Sequence, residues 1–298
     1  MSLKKQLCYS ILIAILWVLT GCSGHKNEKS VNNLRILTHN VWYGFTEVPD
    51  RKDAWLDWVS RQHPDIVFMQ ELNEYTPEKL AADAATWGHE HSVLLKEEGF
   101  PTGITSRFPI ENVVKTLDGF HHGLIRAQIN GIYCYCIHLH PSNWQARRNE
   151  TDLILADTET LPRDARIILA GDFNALSPYD SAYYDQDRMT AFFASLDADD
   201  PKARNLHDGH LDYSVPAMYT NQGFIDTEYA LRGADYAFTG SFPTKVPKKG
   251  EHGDRRRLDY VFVNASLMPF VQSSVIVSND TTEYLSDHLP MIVDFRFE

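Results

Sequence analysis

Four short segments of this chain place acidic, amide and histidine side chains next to runs of apolar residues. Glu71 lies two residues after the apolar run 66–69, and Asp172 lies two residues after the run 167–170. Such runs predict strands, and polar groups at strand ends are typical of a functional site on a rigid scaffold. Carboxylates and imidazoles arranged in this way could bind a divalent metal ion and transfer protons. The four segments are 70–71, 171–174, 257–260 and 286–290.

The composition is that of an ordinary globular protein, because 43% of the 298 residues are hydrophobic and 23% are charged. No Pro-, Ser- or Gly-rich linker divides the chain, so we expect one catalytic domain over residues 34–298. The net charge is −12, with one dense basic run at 255–257 and Lys245, Lys248 and Lys249 nearby. High-affinity binding of duplex nucleic acid normally needs a basic face. We therefore do not expect it, although a local basic patch could hold one phosphate group.

The N-terminus resembles a bacterial lipoprotein signal, since Lys4 and Lys5 precede a short apolar run that ends in Leu19-Thr20-Gly21-Cys22. We expect residues 1–21 to be a signal peptide, Cys22 to be the lipidated first residue and residues 22–33 to be a flexible tether. A short membrane anchor or an ordinary signal peptide is the alternative. The lipoprotein interpretation predicts an extracytoplasmic protein, lipid-anchored to a bacterial membrane on its periplasmic side or at the cell surface.

Two cysteines, Cys134 and Cys136, remain for the folded domain if Cys8 and Cys22 belong to the signal and the anchor. Residues two apart on a strand are separated by about 6.5–7 Å, near the upper limit for a disulfide, so we expect free buried thiols. His138 and His140 continue the same alternation. Four side chains spread over about 20 Å of one strand could not converge on a zinc ion.

Hydrophobic periodicity predicts many short strands separated by helices. Trp55 and Trp58 recur at helical spacing before Pro64, and Asn130-Gly131 predicts a hairpin turn. From 177 to 249 the pattern weakens, and we expect a helix near 182–196 followed by long loops. The other predicted elements are strands at 34–38, 66–71, 91–95, 103–106, 113–117, 124–129, 132–139 and 167–170, and a helix at 144–160.

Seven motifs taken in order resemble the endonuclease/exonuclease/phosphatase superfamily, which includes deoxyribonucleases, abasic-site endonucleases and neutral sphingomyelinases. The motifs are Asn40-Val41-Trp42, Gln70-Glu71, Ser106-Arg107-Phe108-Pro109, His138-Leu139, Gly171-Asp172-Phe173-Asn174, Arg257-Leu258-Asp259-Tyr260 and Ser286-Asp287-His288. The resemblance covers residues 34–298 and implies an α+β fold, a four-layer α/β/β/α sandwich of two mostly antiparallel sheets with helices outside. It also implies a metal-dependent hydrolase of phosphoester bonds, usually with Mg²⁺, with Mn²⁺ or Ca²⁺ as alternatives.

The metal ligands that we expect are Glu71, a hard oxygen donor, and, more loosely, Asp287; the resemblance implies that Asn40 lies beside Glu71 and helps to fix the metal. A catalytic pair is expected in His288 and Asp259, because a carboxylate holds an imidazole in one tautomer and orientation.

The resemblance assigns Asp172 and Asn174 to the attacking water and the phosphate, and either Asp172 or His288 accepts the proton. It assigns His138 to a non-bridging oxygen of the phosphate, with His140 as a rival for this role. Arg257 could contact the substrate phosphate, or it could belong to a solvated turn.

The favoured function is hydrolysis of a phosphomono- or phosphodiester, small or lipid-borne, by metal-assisted attack of water. The acidic charge, the lipoprotein signal and the missing basic groove favour that substrate class over DNA or RNA, which an extracytoplasmic nuclease would cleave. A non-catalytic binding lipoprotein on the same fold is the alternative of another class.

The sequence has no Gly-x-Ser-x-Gly, Gly-x-x-x-x-Gly-Lys or Gly-x-Gly-x-x-Gly motif. The expected partners are the phosphoester and, through Cys22, a membrane; no protein partner can be inferred.

Overall fold

Twelve strands form two six-stranded sheets in a computed structural model, which describes residues 32–47 and 49–297. The predicted signal peptide, Cys22 and nearly all of the predicted tether lie outside the described residues. The predicted domain boundary at residue 34 stays a prediction.

The first sheet contains the strand that opens the described chain and the strand that ends it. Its strands are β1 (Asn33–Asn40), β2 (Ile66–Gln70), β3 (His91–Leu94), β4 (Gly103–Ser106), β13 (Val271–Ile276) and β14 (Met291–Arg296). The strand order is β13-β14-β1-β2-β4-β3, and the pair β1 and β2 is parallel. The other neighbours are antiparallel.

The second sheet repeats this arrangement with one parallel pair inside an antiparallel sheet. Its strands are β5 (Ile110–Thr116), β6 (Leu124–Ile129), β7 (Ile132–His138), β8 (Arg166–Asp172), β11 (Ile225–Asp226) and β12 (Asp259–Val263). The order is β11-β12-β8-β7-β6-β5, and β7 and β8 are parallel. A separate hairpin joins β9 (Leu206–His207) and β10 (His210–Leu211).

Helices cover the outer faces of both sheets. The helices are α1 (Lys52–Gln62), α2 (Pro77–Thr86), α3 (Trp144–Glu159), α4 (Gln186–Asp199), α5 (Ser214–Asn221) and α6 (Thr227–Ala230). Apolar side chains of α1 and α2 pack on one face of the first sheet, and those of α3 and α5 pack on the second sheet. None of the described helices is long and apolar enough to cross a membrane.

The central core lies between the two sheets and contains Phe68, Ile168 and Val293 among other buried side chains. Cys134 and Cys136 lie in this core as free thiols, which confirms the expectation for both. The four layers confirm the predicted α/β/β/α sandwich of class α+β.

Most predicted elements occur close to their expected bounds. The Asn130-Gly131 turn joins β6 and β7, with φ of 50° and 74° at its two residues. The helix predicted near 182–196 begins later than expected. Residues 178–183 form a 3₁₀ helix, and α4 begins at Gln186. Two elements were not predicted: α2, which begins at a Thr76 N-cap followed by Pro77, and β13, whose exposed positions hide the strand pattern.

Both expectations for Arg257, a contact with the substrate phosphate and a solvated turn, are wrong. Its side chain is fully buried, and its guanidinium pairs with Asp180 at 2.7 Å, Asp226 at 2.6 Å and Glu228 at 3.0 Å. Arg232 pairs with the same Asp180 and Glu228. This network anchors the chain directly before β12.

The network predicts a large loss of stability in Arg257→Met. Removing one partner leaves buried carboxylates without compensation, which costs about 3–5 kcal/mol. Urea unfolding of Arg257→Met should show this loss. The matched control Arg61→Met removes an exposed pair with Asp57 and should lose less than about 1 kcal/mol. Equal midpoints for Arg257→Met and the parent protein would contradict the network's role.

Candidate active site

The polar segments meet because the two parallel strand pairs end at one edge of the sandwich. In the second sheet, Asp172 at the end of β8 is in register with His138 at the end of β7 and with Asp259 at the start of β12. In the first sheet, Asn40 at the end of β1 is in register with Gln70, which precedes Glu71. Five strands therefore deliver side chains to one place.

The backbone at this edge adopts conformations that few residues tolerate. Gly171 has φ of 146°, and a Cβ there would lie 1.9 Å from the carbonyl oxygen of Ile137, so the close strand approach requires glycine. Glu71 and Asn174 have positive φ, at 59° and 48°. Such positions cost about 1–3 kcal/mol each and cluster at functional sites.

Asp172 lies at the centre of the site. Its Oδ2 accepts hydrogen bonds from Nδ2 of Asn40 at 3.2 Å and from Nδ2 of Asn174 at 3.3 Å. The Nε2 atoms of His138 and His288 lie 3.7 and 3.8 Å from the same oxygen. The backbone N–H of Asn174 donates to Oδ1. Asp259, the remaining predicted catalytic residue, joins this cluster through its hydrogen bond to His288. The structure thus brings together all five predicted catalytic residues.

The imidazole of His288 is held by Asp259, whose Oδ2 lies 2.8 Å from Nδ1. Burial alone would lower the pKa of His288, but the charges of Asp259, Asp172 and Asp287 outweigh it and raise the pKa to about 10. His288 is therefore an imidazolium at neutral pH in the metal-free protein. Burial raises the pKa of Asp172 to about 7, although the charge of His288 opposes this shift.

The three predicted metal ligands lie beside this pair. Nδ2 of Asn40 donates to Oε1 of Glu71 at 3.1 Å, and Oδ1 of Asn40 accepts from the N–H of Trp42. Burial raises the pKa of Asp287 to about 7, and the nearby charge of Glu71 adds to this shift. Within the described residues, neither the carboxylate of Glu71 nor that of Asp287 pairs with Lys or Arg. A hard divalent cation fits this oxygen donor set.

A second group of possible ligand atoms consists of Asp172, Asp259 and His288, whose donor atoms lie within 4.8 Å of one another. We interpret this group as the proton-transfer unit, because the hydrogen bond to Asp259 occupies Nδ1 of His288 and the imidazole is charged. The ligand roles of Asn40, Glu71 and Asp287 stay predictions.

His138 and His140 lie in different surroundings. The ring of His138 is buried, stacks on His122 with centroids 3.8 Å apart, and has its Nε2 3.9 Å from Oε1 of Glu71. Burial lowers the pKa of His138 well below its ordinary value, so the ring is neutral. His140 packs on His121, and its Nδ1 accepts from the N–H of Ser142. Of the two, His138 is the one that approaches the central carboxylates.

Several supporting residues were missed in the sequence. Oγ of Ser241 accepts hydrogen bonds from the N–H groups of Leu258 and Asp259, and its carbonyl accepts from Leu289. Ser241 thereby links the start of β12, which carries Asp259, to the segment that carries His288. Nε2 of His39 lies 3.0 Å from the carbonyl oxygen of His288. No motif marks Ser241, whereas His39 could have been suspected from its place beside Asn40.

The chain belongs to the Endonuclease/Exonuclease/phosphatase family, whose model matches residues 37–288. Members of this family hydrolyse phosphoester bonds, generally with a divalent metal ion. No curated protein matches the chain in sequence.

Solved structures share the fold at low sequence identity. An AP endonuclease from Archaeoglobus fulgidus is 20% identical with a TM-score of 0.63, over 88% of this chain and 99% of that chain. The 3′ phosphatase NExo from Neisseria bound to product DNA hairpin is 17% identical with a TM-score of 0.62, over 89% and 100%. TDP2 from D. rerio complexed with single strand DNA product is 20% identical with a TM-score of 0.61, over 90% and 100%. At these identities the likeness is one of fold.

The charge on His288 gives a direct prediction for EDTA-treated protein. Its imidazole should remain protonated at pH 8 in nitrogen-detected NMR, and Asp259→Asn should lower its pKa by removing the largest raising charge. Because the folded pKa exceeds the ordinary 6.5, the stabilisation is complete below pH 6.5 and is lost as pH rises through about 10. The exposed control Asp199→Asn should change nothing. A wild-type titration near pH 6.5 would show that the carboxylates do not act on His288.

Proposed function

We propose that this protein is a divalent-metal-dependent phosphoesterase that hydrolyses a small or lipid-borne phosphomono- or phosphodiester by attack of water. The observation that supports this most strongly is the convergence on Asp172 of two histidines and two amides, beside Glu71 and Asp287. An anionic phosphoester resists attack by water, so catalysis depends mainly on positioning and on charge neutralisation.

In this proposal Asp172 accepts the proton of the attacking water, and Asn174 orients the water. The imidazolium of His288, held by Asp259, and the ring of His138 stabilise charge on the phosphoryl oxygens. Asn40, Glu71 and Asp287 hold a cation, for which we propose Mg²⁺. When bound, that cation supplies charge neutralisation at the phosphate.

The proposed substrate class follows from the placement of the basic residues. The dense basic run 255–257 offers no basic surface, since Arg256 and Arg257 are buried and Arg255 pairs with Glu283 at 2.7 Å. With a net charge of −12, the protein has little with which to neutralise a row of phosphates. This favours a substrate with few charges.

Cleavage of DNA or RNA is the second candidate. Its support is that two of the similar solved structures contain DNA products and a third is an AP endonuclease. A binding protein without activity is the third candidate. The retention of every predicted catalytic side chain in one cluster favours an enzyme over it.

The activity test compares substrates and variants in Mg²⁺ and in EDTA. Sphingomyelin, phosphoinositides and small phosphomonoesters should be hydrolysed better than plasmid DNA or RNA, and EDTA should abolish turnover. His288→Ala should lower kcat by about 10²–10³-fold, as expected for the loss of a group that stabilises charge on the phosphoryl oxygens. Glu71→Gln should raise the Mg²⁺ concentration needed for activity, while the exposed control Glu111→Gln behaves as wild type. Faster cleavage of DNA would overturn the proposed order of substrates, and no cleavage of any would leave a binding protein.

We also propose that Cys22 is lipidated and anchors the domain outside the cytoplasmic membrane. In bacteria fed labelled palmitate, the wild-type chain should take up label and sediment with membranes. Cys22→Ser should lose the label, whereas Cys134→Ser, a change at a buried core thiol, should keep it. Labelling that persists in Cys22→Ser would reject this anchor.

A further inference from the structure

We propose that Arg147 and Arg256 form a second anion-binding subsite beside the catalytic carboxylates, and that it binds another oxyanion group of the substrate, such as a second phosphoryl group. The identity of the ligand as a substrate group rests on the proposed phosphoester hydrolysis. The existence of the subsite rests on the arginines alone.

Both arginines line one cavity that also borders the active site. The cavity offers about 40 Å³ to the centres of water-sized spheres, and Asn174 and Leu258 form part of its wall. Asn174 bonds to Asp172, and Leu258 directly precedes Asp259. One water needs roughly 10–15 Å³ of such space, so the cavity has room for a compact oxyanion group. A group bound here would therefore lie next to the scissile bond of the same small molecule.

Neither of the two buried guanidinium groups has a carboxylate partner within the part of the chain that the structure describes. Arg147 is 5% exposed and Arg256 is 7% exposed. Nη1 of Arg147 donates to the carbonyls of His140 and Pro141, and Nη1 of Arg256 donates to those of His252 and Asp254. The Nε atom of each is buried with no acceptor among the described residues. Buried charges are normally paired, so these two donors lack a partner that an anion would supply.

The contrast with Arg257 shows what a structural arginine looks like in this fold. Arg257 is fully buried and satisfied by three carboxylates. By comparison, burial lowers the pKa of Arg147 and of Arg256 to about 10, with only partial compensation from acidic groups that include Asp172 for both. The charge of Asp172 thus acts on both arginines, which places them near the catalytic carboxylate.

The charge of the cavity favours an anion. Asp212 contributes a carboxylate to the lining, accepts a hydrogen bond from the hydroxyl of Ser214, and lies 3.8 Å from Nδ1 of His207. Two guanidinium groups against one carboxylate leave a net positive lining. Arginine donors suit phosphoryl or carboxylate oxygens because their N–H groups match the geometry of these groups.

The binding test uses inorganic sulfate and needs no turnover. Sulfate is titrated into EDTA-treated protein by calorimetry at constant ionic strength. Arg147→Gln and Arg256→Gln should each weaken binding by about tenfold, the size expected for the loss of a charged hydrogen bond. Asp212→Asn should tighten binding, a change that a purely structural arginine pair would not produce. The exposed control Arg61→Gln should bind as wild type.

The activity test distinguishes a substrate group from a free anion. The probes are thymidine 5′-(4-nitrophenyl phosphate) and the same compound with a 3′-phosphate. Wild type should favour the 3′-phosphorylated compound in kcat/KM, and Arg256→Gln should reduce that preference by about tenfold.

Absence of sulfate binding, or equal binding in the two arginine variants and wild type, would overturn the subsite. If Arg256→Gln loses sulfate binding but keeps the preference for the 3′-phosphorylated probe, the subsite does not bind a group of the substrate. If neither probe is hydrolysed, the sulfate titration and the tighter binding of Asp212→Asn still decide the subsite, and only the proposed hydrolysis is placed at risk. Circular dichroism and thermal melting establish that each variant is folded before it is compared.

Discussion

The crowding of four carboxylates at one edge of the sandwich is the constraint on which the site depends. Glu71, Asp172, Asp259 and Asp287 converge there, and the pKa values of Asp172 and Asp287 rise to about 7 as a result of burial and neighbouring charge. Like charges in a buried site are unfavourable unless cations and hydrogen-bond donors compensate them. His288 supplies one positive charge, and the amides of Asn40 and Asn174 supply donors. A divalent cation would complete the compensation.

The fold meets this constraint with backbone geometry. Each sheet contains one parallel pair, and the ends of both pairs reach the same edge. The close approach of β7 and β8 requires Gly171, and Glu71 leaves its strand with a positive φ. A rigid interior between the sheets allows such strained positions to persist, because packed cores resist small displacements. The site residues therefore lie at strand ends or directly beyond them.

Buried arginines divide into two kinds around this edge. Arg257 is neutralised by acidic residues and fixes the segment before Asp259. Among the described residues, Nη1 of Arg147 and Nη1 of Arg256 donate to carbonyl groups, the Arg256 guanidinium also lies over the rings of Phe193 and Phe242, and neither Nε has an acceptor. Adjacent positions in one basic run, 256 and 257, thus have different roles. A count of charges from the sequence does not distinguish Arg147, Arg256 and Arg257, since each contributes one positive charge.

Much of the fold was predictable because it depends on local patterns. Consecutive apolar residues at 167–170 predicted a strand buried on both faces, and the Asn130-Gly131 turn predicted its hairpin, as the structure has them. The convergence of Asp172 and His288 could be expected only from the order of the motifs, since strand register is a long-range property. The burial of Arg257 and the support from Ser241 were not predictable, because their partners lie far away in sequence and no pattern links them.

The most direct test of the central claim is to locate a bound metal ion by anomalous diffraction from crystals soaked in Mn²⁺. The proposed metal site predicts one strong peak within coordination distance of carboxylate oxygens of Glu71 and Asp287, with Nδ1 of His288 still bonded to Asp259. A peak coordinated instead by Asp172, Asp259 and His288, or no peak at millimolar Mn²⁺, would contradict it.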